Sequence, residues 1–190
     1  MEKIDKAFLV VLFISILAVL ILISPTIKSA SYQEKTTPSN TTVSVFVEIT
    51  LSDNLTAGIL FGSVEQNSND NNASGNYGED NTTQFTVTAG AANSVNIDLC
   101  IKDNMALDKS PGVNIPNTGY TYNFTSTTDV DNPTLPGKAI TTSYVTTQHA
   151  NIAAGVRSYS RFWLDVPAAQ VAGTYSNTVY IKGIETGQSC

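Results

Sequence analysis

The stretch Val95-Asn96-Ile97-Asp98-Leu99-Cys100-Ile101 alternates large apolar residues with smaller or polar ones. Successive side chains of an extended strand point to opposite faces, so this pattern predicts a strand with one buried and one wet face. The predicted buried face consists of Val95, Ile97, Leu99 and Ile101, and the wet face of Asn96, Asp98 and Cys100. The stretch therefore indicates a β-sheet protein.

The same period of two recurs on both sides of this stretch. Near the N-terminus it relates Val43, Val45, Val47, Ile49 and Leu51. Later in the chain, Phe162, Leu164 and Val166 alternate with Arg161, Trp163 and Asp165, which predicts that Trp163 is partly exposed. The nine predicted strands are Val43–Leu51, Ile59–Val64, Gln84–Thr88, Val95–Ile101, Gly119–Thr125, Ala139–Thr147, Asn151–Val156, Phe162–Val166 and Tyr175–Ile184.

Polar clusters between these strands predict surface loops at Asn67–Asn81, Asp108–Asn117 and Thr127–Gly137. No stretch beyond residue 30 has sustained helical spacing. Many short strands with polar connections predict one all-β domain, residues 43–190, folded as an antiparallel β-sandwich of Ig-like or jelly-roll type. An N-terminal hydrophobic signal helix is expected to precede it.

The first thirty residues have the layout of an export signal. Lys3 and Lys6 precede Ala7–Ile23, which carries no charge, and small residues follow near Ser29. The prediction is a signal peptide over residues 1–30, followed by a flexible polar lead-in over residues 31–42. Two alternatives remain open at this point, a retained membrane anchor and processing as in class III pilin precursors.

The two cysteines, Cys100 and Cys190, fit an exported protein. Disulfides persist in oxidising compartments, and a bridge closing a loop of this length is worth roughly 4 to 5 kcal/mol in the chain-entropy model. The predicted pairing is Cys100 with Cys190. The alternatives are two unrelated thiols, or a bond from Cys190 to another subunit.

The charge balance makes some partners less favourable. The chain has 16 Asp and Glu against 10 Lys and Arg, for a net charge of −6. Removing residues 1–30 removes a net +1, which leaves −7 and disfavours nucleic acid as a partner. A low charged fraction of 14% leaves solubility to neutral polar groups, which suits an extracellular surface.

Sites for sugar or metal were sought among the polar residues. Sequons for N-glycosylation occur at Asn40, Asn54, Asn72, Asn81 and Asn123, although their number is close to chance. Weak oxygen-ligand sets for calcium are Asp129, Asp131 and Asn132, or Asp70, Glu79 and Asp80. Neither set has the spacing of an EF-hand, so no metal site and no cofactor is predicted.

Catalysis has little support in the sequence. His149 is the single histidine, and no Gly-x-Ser-x-Gly element accompanies it, so we expect an exposed loop histidine and no enzyme. A carbohydrate-binding module is a different possibility, because exposed aromatic rings can stack on sugars. Its candidate rings are Tyr120, Tyr122, Tyr159 and Trp163, and the alternative is that these rings pack between the sheets.

A family resemblance is carried by two segments, Leu55–Gly62 (LTAGILFG) and Leu164–Tyr175 (LDVPAAQVAGTY). In them, Pro167 is expected to stop a strand and Gly173 to let the chain turn into the last one. Together with the leader, they resemble small exported β-sandwich subunits, namely archaeal thread and bundling-pilus proteins and the TasA/camelysin-like filament proteins. The resemblance implies that the leader is removed and that an N-terminal segment of one subunit completes the sheet of its neighbour.

The expected function is therefore an extracellular structural subunit of a cell-surface filament, pilus or biofilm matrix, polymerised head-to-tail with copies of itself. The donor strand would be residues 31–42 or Val43–Leu51, with Val43, Val45, Val47, Ile49 and Leu51 as its inserted side chains. Alternatively, Val43–Leu51 is the first strand of its own domain. The alternative function is a membrane-anchored surface adhesin or glycan-binding module.

Overall fold

Eleven strands and one short α-helix make up the part of the chain that a computed structural model describes, residues 44–78, 83–110, 112–129 and 132–190. The predicted signal segment, the predicted lead-in and Val43 lie outside the described residues. The helix is α1 (Asp53–Ala57), and a 3-10 turn covers Asn117–Gly119. The strands are β1 (Ile49–Leu51), β2 (Ser68–Asn72), β3 (Thr86–Ala89), β4 (Ile97–Asp103), β5 (Leu107–Ser110), β6 (Val113–Ile115), β7 (Tyr120–Thr125), β8 (Lys138–Ala139), β9 (Val145–Thr146), β10 (Arg157–Val166) and β11 (Val179–Glu185).

The larger sheet has the order β1-β3-β10-β7-β8, and β2 pairs with the second half of β10. All of its pairings are antiparallel. Its centre is β10, which pairs along six residues with β7 and along three with β3. The sheet therefore depends on one long strand with partners on both sides.

The smaller sheet has the order β11-β4-β9. Strand β11 pairs with all of β4, from Val179 opposite Asp103 to Glu185 opposite Ile97. A separate hairpin is formed by β5 and β6. The C-terminal strand thus forms one edge of the smaller sheet.

The two sheets pack face to face around one hydrophobic core. Phe162 of β10 contacts the rings of Phe85, Phe124 and Tyr120 at centroid distances of 5.6, 6.3 and 6.3 Å. Apolar residues at alternate positions of β4, such as Ile97, Leu99 and Ile101, belong to the same buried cluster. The prediction of an all-β protein is confirmed, and the arrangement is sandwich-like.

Two predicted strands are absent, and a third, Ala139–Thr147, is divided between β8 and β9, which belong to different sheets. Residues 59–64 form no strand, although Ile59, Phe61 and Val64 pack against the core. Helix α1 directly precedes this segment, and the Ser52 hydroxyl caps the helix by accepting a hydrogen bond from Leu55 N. The helix sets the direction in which the segment continues, and the alternating pattern of residues 59–64 does not reveal that direction. Residues 151–156 form turns with a single bridge between Ile97 and Ile152.

Two predicted loops contain strands instead. Strand β2 lies within the predicted loop Asn67–Asn81. Its backbone pairs with β10, and Asn71 Nδ2 donates to Leu164 O at 2.7 Å. The hairpin of β5 and β6 lies within Asp108–Asn117. Edge strands of this kind need little apolar alternation, so the sequence pattern does not identify them. The predicted loop at Thr127–Gly137 is irregular at its described positions.

The predicted wet faces are also partly wrong. Asp98 and Cys100 are buried, because the C-terminal residues 186–190 fold over this face of β4, where Asp98 accepts hydrogen bonds from Gly187 N and Thr186 Oγ1. Trp163 and Arg161 are buried as well. Arg161 is held from above by loop carbonyls, including those of residues 76 and 133. Alternation of apolar and polar residues therefore does not predict solvent exposure where a loop covers the sheet.

The structure joins Cys100 to Cys190 in a disulfide, with Cα atoms 5.8 Å apart. Thr146 Oγ1 lies 3.2 Å from the Cys190 sulfur, and the Lys182 ammonium donates to Cys190 O at 3.0 Å. The bridge therefore fixes the C-terminus against the outer face of the smaller sheet. No helix among the described residues has the length and apolar character that crossing a bilayer requires.

Replacing both cysteines with alanine should lower the free energy of unfolding by about 4 to 5 kcal/mol, because the unfolded chain regains the entropy of an open loop. The loop spans 90 residues. Denaturant titration monitored by Trp163 fluorescence measures the change. The control is the unaltered protein under reductant, which keeps both sulfurs and so leaves no cavity at Cys100. An unchanged unfolding midpoint on reduction would contradict the prediction.

Candidate functional site

The candidate site is the seam where the first strand lies between the edges of the two sheets. β1 pairs with β3 through Ile49 opposite Ala89 and Leu51 opposite Val87. Across the seam runs β11, whose described strand partner is β4. The seam is where one element could be exchanged without dismantling either sheet.

Backbone hydrogen bonds extend the pairing of the first strand on both sides of β1. Gly90 N donates to Glu48 O at 2.8 Å, and Ser94 N donates to Phe46 O at 3.2 Å. At the other end, Ser52 N donates to Thr86 O at 2.9 Å. The first strand is thus held along 46–52 by one neighbour, the segment 86–94.

The predicted donor residues divide into two groups. Val47, Ile49 and Leu51 are half-buried and pack against the core, so they fill the seam. Val45 is 52% exposed, and the adjacent Phe46 is 50% exposed. Val43 lies outside the described residues. In this single chain the segment forms the first strand of its own domain, which is the alternative that the sequence left open.

Gly183 of β11 is the closest point of approach across the seam. A Cβ at this position would lie 2.9 Å from Ile49 Cγ2 and 3.1 Å from Val47 Cγ1. A glycine inside a strand is a recognised sign of close approach by another backbone, so the sequence carried a signal that was missed. Gly183 makes room for the first strand.

Beyond Leu51 the seam widens into an apolar groove of about 370 Å³. Its walls come from β1, α1, the segment after α1 and the start of β11. They include Leu51, Leu55, Ile59, Phe61, Val179 and Ile181. Together, the filled seam and the open groove form a continuous apolar track along one side of the sandwich.

A buried carboxyl contacts Asn177, one of the residues that line this groove. Asp103 is 0% exposed and accepts hydrogen bonds from Asn117 Nδ2 at 3.1 Å and from Asn177 Nδ2 at 3.5 Å. Burial raises the pKa of Asp103, and the Asn117 bond offsets part of that effect. Tyr120 lines the groove, and burial, followed by the nearby Asp103 charge, raises its pKa far above the ordinary value. These groups anchor the end of β4.

The glycosylation candidates differ in accessibility. Asn72 is exposed, and its side-chain nitrogen donates to no partner among the described residues. Asn54 Nδ2 donates to Thr83 O at 2.7 Å, and Asn123 Nδ2 donates to Thr134 O at 2.9 Å. Asn40 and Asn81 lie outside the described residues. Asn72 is therefore the described sequon whose nitrogen is available for a sugar.

Neither calcium set is assembled within the described part of the chain. No group of three or more metal-ligating His, Cys, Asp or Glu side chains occurs there. Asp129 accepts from the backbone and side chain of Asn132, and Asp70 N donates to Asp165 Oδ1. Asp131, Glu79 and Asp80 lie outside the described residues.

The candidate sugar-binding rings are mostly inside the protein. Tyr120, Tyr122 and Trp163 are each 2% exposed or less, so they cannot stack on a sugar in this structure. Burial raises the pKa of Tyr122 to about 12. Tyr159 is half-buried. Three of the four candidate rings therefore pack in the interior, as the alternative in the sequence analysis expects.

His149 is half-buried rather than an exposed loop residue. Its Nδ1 lies 2.9 Å from the hydroxyl of Ser158, which is buried on β10. Burial lowers the pKa of the His149 imidazole. The pair supports the loop before β10.

Comparison with protein-family models, curated proteins and solved structures finds no match to the chain. The seam, the groove and the disulfide are therefore the observations on which function must be argued.

Gly183→Ala should destabilise the protein by about 1 to 3 kcal/mol, because the added methyl group overpacks the seam against Ile49 and Val47. Replacing a strand glycine with alanine ordinarily stabilises by about 0.4 to 1 kcal/mol, so the sign of the change is itself diagnostic. Thermal and denaturant unfolding provide the measurement. A gain in stability would show that the first strand does not lie against Gly183.

Lowering the pH below about 6.5 should destabilise the protein through His149. Its pKa is lower in the folded state, so the unfolded chain binds the proton first. Stability is therefore fully present above the ordinary pKa and falls until the pH reaches the folded-state pKa. Unfolding midpoints from pH 7.5 to 5, compared with His149→Gln, isolate this contribution from the opposite effect of Asp103. Identical pH profiles for the two proteins would contradict the assignment.

Proposed function

We propose that the chain is an extracellular structural subunit that assembles into a surface filament, pilus or matrix fibre by exchanging its first strand between copies. Val43–Leu51 of one copy would fill the seam of the next, in the place that residues 46–52 occupy in the single chain. The observation that carries the proposal is the position of this strand, which is an N-terminal edge strand lying in an apolar seam.

The strand is suited to exchange because its hydrogen bonds go to one neighbour. Edge pairing of this kind supplies affinity through the backbone, while alternating side chains set the register. Val47, Ile49 and Leu51 supply that alternation on the inner side. Because the segment precedes all other described elements, it can leave its own seam without breaking the order of either sheet.

The acceptor is also supported by its shape. Gly183 has no side chain, so a strand can lie close to β11 at this point of the seam. The groove beyond Leu51 offers further apolar surface to the strand. Head-to-tail exchange of a strand does not close into a dimer, so it propagates a fibre. A small sandwich of Ig-like or jelly-roll type, with its first strand at an edge, suits such an assembly.

The disulfide supports a place outside the cytoplasm, because such bonds persist in oxidising compartments. It also fixes the C-terminus to the smaller sheet, which leaves the N-terminal side as the mobile partner in assembly. The expected export signal at residues 1–30 would deliver the chain there. A membrane-anchored adhesin is the alternative function, but three of the four rings predicted to bind sugar are buried.

The test is a covalent trap across the seam, Ile49→Cys with Gly183→Cys, in cells that export and assemble the protein. Exchange between copies predicts a ladder of disulfide-linked chains when the assembled material is run without reductant. A strand that stays in its own domain predicts a cross-linked monomer. Electron microscopy of the same material establishes whether fibres are present.

The matched control is Thr50→Cys with Gly183→Cys. Thr50 is exposed on the opposite side of the same strand, so its thiol should not reach Gly183, and its cross-linking reports the background. Fibres whose trapped chains are all monomeric would overturn strand exchange. The absence of any fibre or matrix from native surface material would overturn the filament function itself.

A further inference from the structure

The outer face of the smaller sheet carries a patch of alternating lysine and tyrosine side chains. The antiparallel register places Tyr180 opposite Lys102, and Lys182 opposite Cys100. Tyr144 precedes β9 on the other side of β4, and the Lys102 and Lys182 ammonium groups lie 4.8 and 4.3 Å from its ring centroid. Lys102 Nζ also lies 5.2 Å from the Tyr180 ring. We call Lys102, Lys138, Lys182, Tyr144 and Tyr180 the Lys–Tyr patch.

Lys138 joins the patch from β8, because its ammonium donates to Thr146 O at 3.4 Å. Three of the four lysines in the described residues thus lie around the middle and end of β4, in a chain with 16 acidic and 10 basic residues. Lys182 also contacts Cys190 O, so the C-terminus adjoins the patch. The rings hold the ammonium groups at the surface, where cation–π contacts are worth about 0.5 to 1 kcal/mol each.

Three acidic side chains lie at one end of the opposite side of the sandwich, on the face of β10 that also carries Arg157 and Arg161. Asp165 lies on the outer side of β10, next to Trp163, whereas the neighbouring Leu164 faces the core. Asp70 N donates to Asp165 Oδ1 at 2.7 Å, and Glu65 lies just before β2 at this end of the sheet. We call Glu65, Asp70 and Asp165 the acidic patch. The fourth described lysine, Lys109, donates to Ala172 O instead.

We propose that the Lys–Tyr patch of one copy docks onto the acidic patch of another copy. Like-charged subunits repel one another, so association between copies with a net charge of −6 is favoured when a contact brings opposite charges together. The Lys–Tyr patch supplies the positive surface. This contact deepens the filament function and rests on it, because it gives the fibre a second, electrostatic contact between subunits.

The two patches lie on opposite faces of one sandwich, so the contact is heterologous and does not close on itself. Each copy that docks presents a new patch of the same kind. The same contact can therefore repeat along a stack of copies or between neighbouring fibres. It is also screened by salt, since charges separated by more than about 10 Å hardly interact at 0.1 M ionic strength.

The test uses charge reversal in the exported protein, purified with its native N-terminus. One variant is Lys102→Glu with Lys138→Glu, which leaves Lys182 in contact with the C-terminus. The other is Glu65→Lys with Asp70→Asn, chosen because Asp70 has a φ of 55°, which asparagine tolerates. The self-association of each variant alone, measured by light scattering at low salt, should be weaker than that of the unaltered protein by roughly tenfold or more.

Mixing the two variants should restore association, because each then presents a patch that complements the other. Lys109→Glu is the control for added negative charge outside the Lys–Tyr patch, with half the charge change of the double lysine variant, and should associate like the unaltered protein. Near-UV circular dichroism checks that each variant is folded. Failure of the mixture to restore association would overturn the proposal. A monomeric protein at low salt whose Lys–Tyr patch instead binds a polyuronate would overturn it as well.

The two proposals fail separately. A covalent ladder in the seam trap without any salt dependence overturns the charged contact and leaves strand exchange intact. Salt-dependent, charge-rescued association without a ladder overturns strand exchange and leaves the charged contact intact.

Discussion

Phe162 lies at the centre of the packing on which the rest of the structure depends. It is fully buried on β10 and contacts three rings of the larger sheet, those of Phe85 just before β3 and of Tyr120 and Phe124 on β7. Phe162 belongs to the same buried cluster as Ile97, Leu99 and Ile101 of β4, and this shared core holds the two sheets together. The edges of the joined sheets on one side define the seam. A loss of packing here would cost about 3 to 5 kcal/mol and would remove the seam together with the core. The seam is therefore a property of the whole sandwich.

The first strand contributes less than the central strands to this packing. It is paired along 46–52 with one neighbour, and its inner side chains are only half-buried. Elements with few buried contacts open more readily than the rest of a domain. The disulfide has the opposite effect at the other terminus, where it ties Cys190 to the middle of β4. The first strand is thus held by hydrogen bonds to one neighbour, whereas the C-terminus is held by a covalent bond.

The sequence predicts the central features well because they follow from alternation. The strand at Val95–Ile101 and the Cys100–Cys190 pair are found as expected, since a buried strand face and a paired cysteine both leave local signals. It fails where one segment covers another. Asp98 and Trp163 look solvent-facing by period two, yet the C-terminal residues and the loops lie over them, and contacts so distant in sequence leave no local pattern. The polar strand β2 was missed for a related reason, because its pairing with β10 comes from backbone groups that every residue carries.

The seam itself could be predicted only in part. The valines before Leu51 signal a strand, but whether it serves its own sheet or another depends on the partner edge, which is Gly183 and its neighbours near the C-terminus. A glycine within an apolar strand was the available clue. The Lys–Tyr patch was harder to foresee, because Lys102, Lys138 and Lys182 are far apart in sequence and meet through the register of β11 with β4 and the reach of β8. A surface that combines separate strands is therefore set by topology, whereas a single strand is set by its own residues.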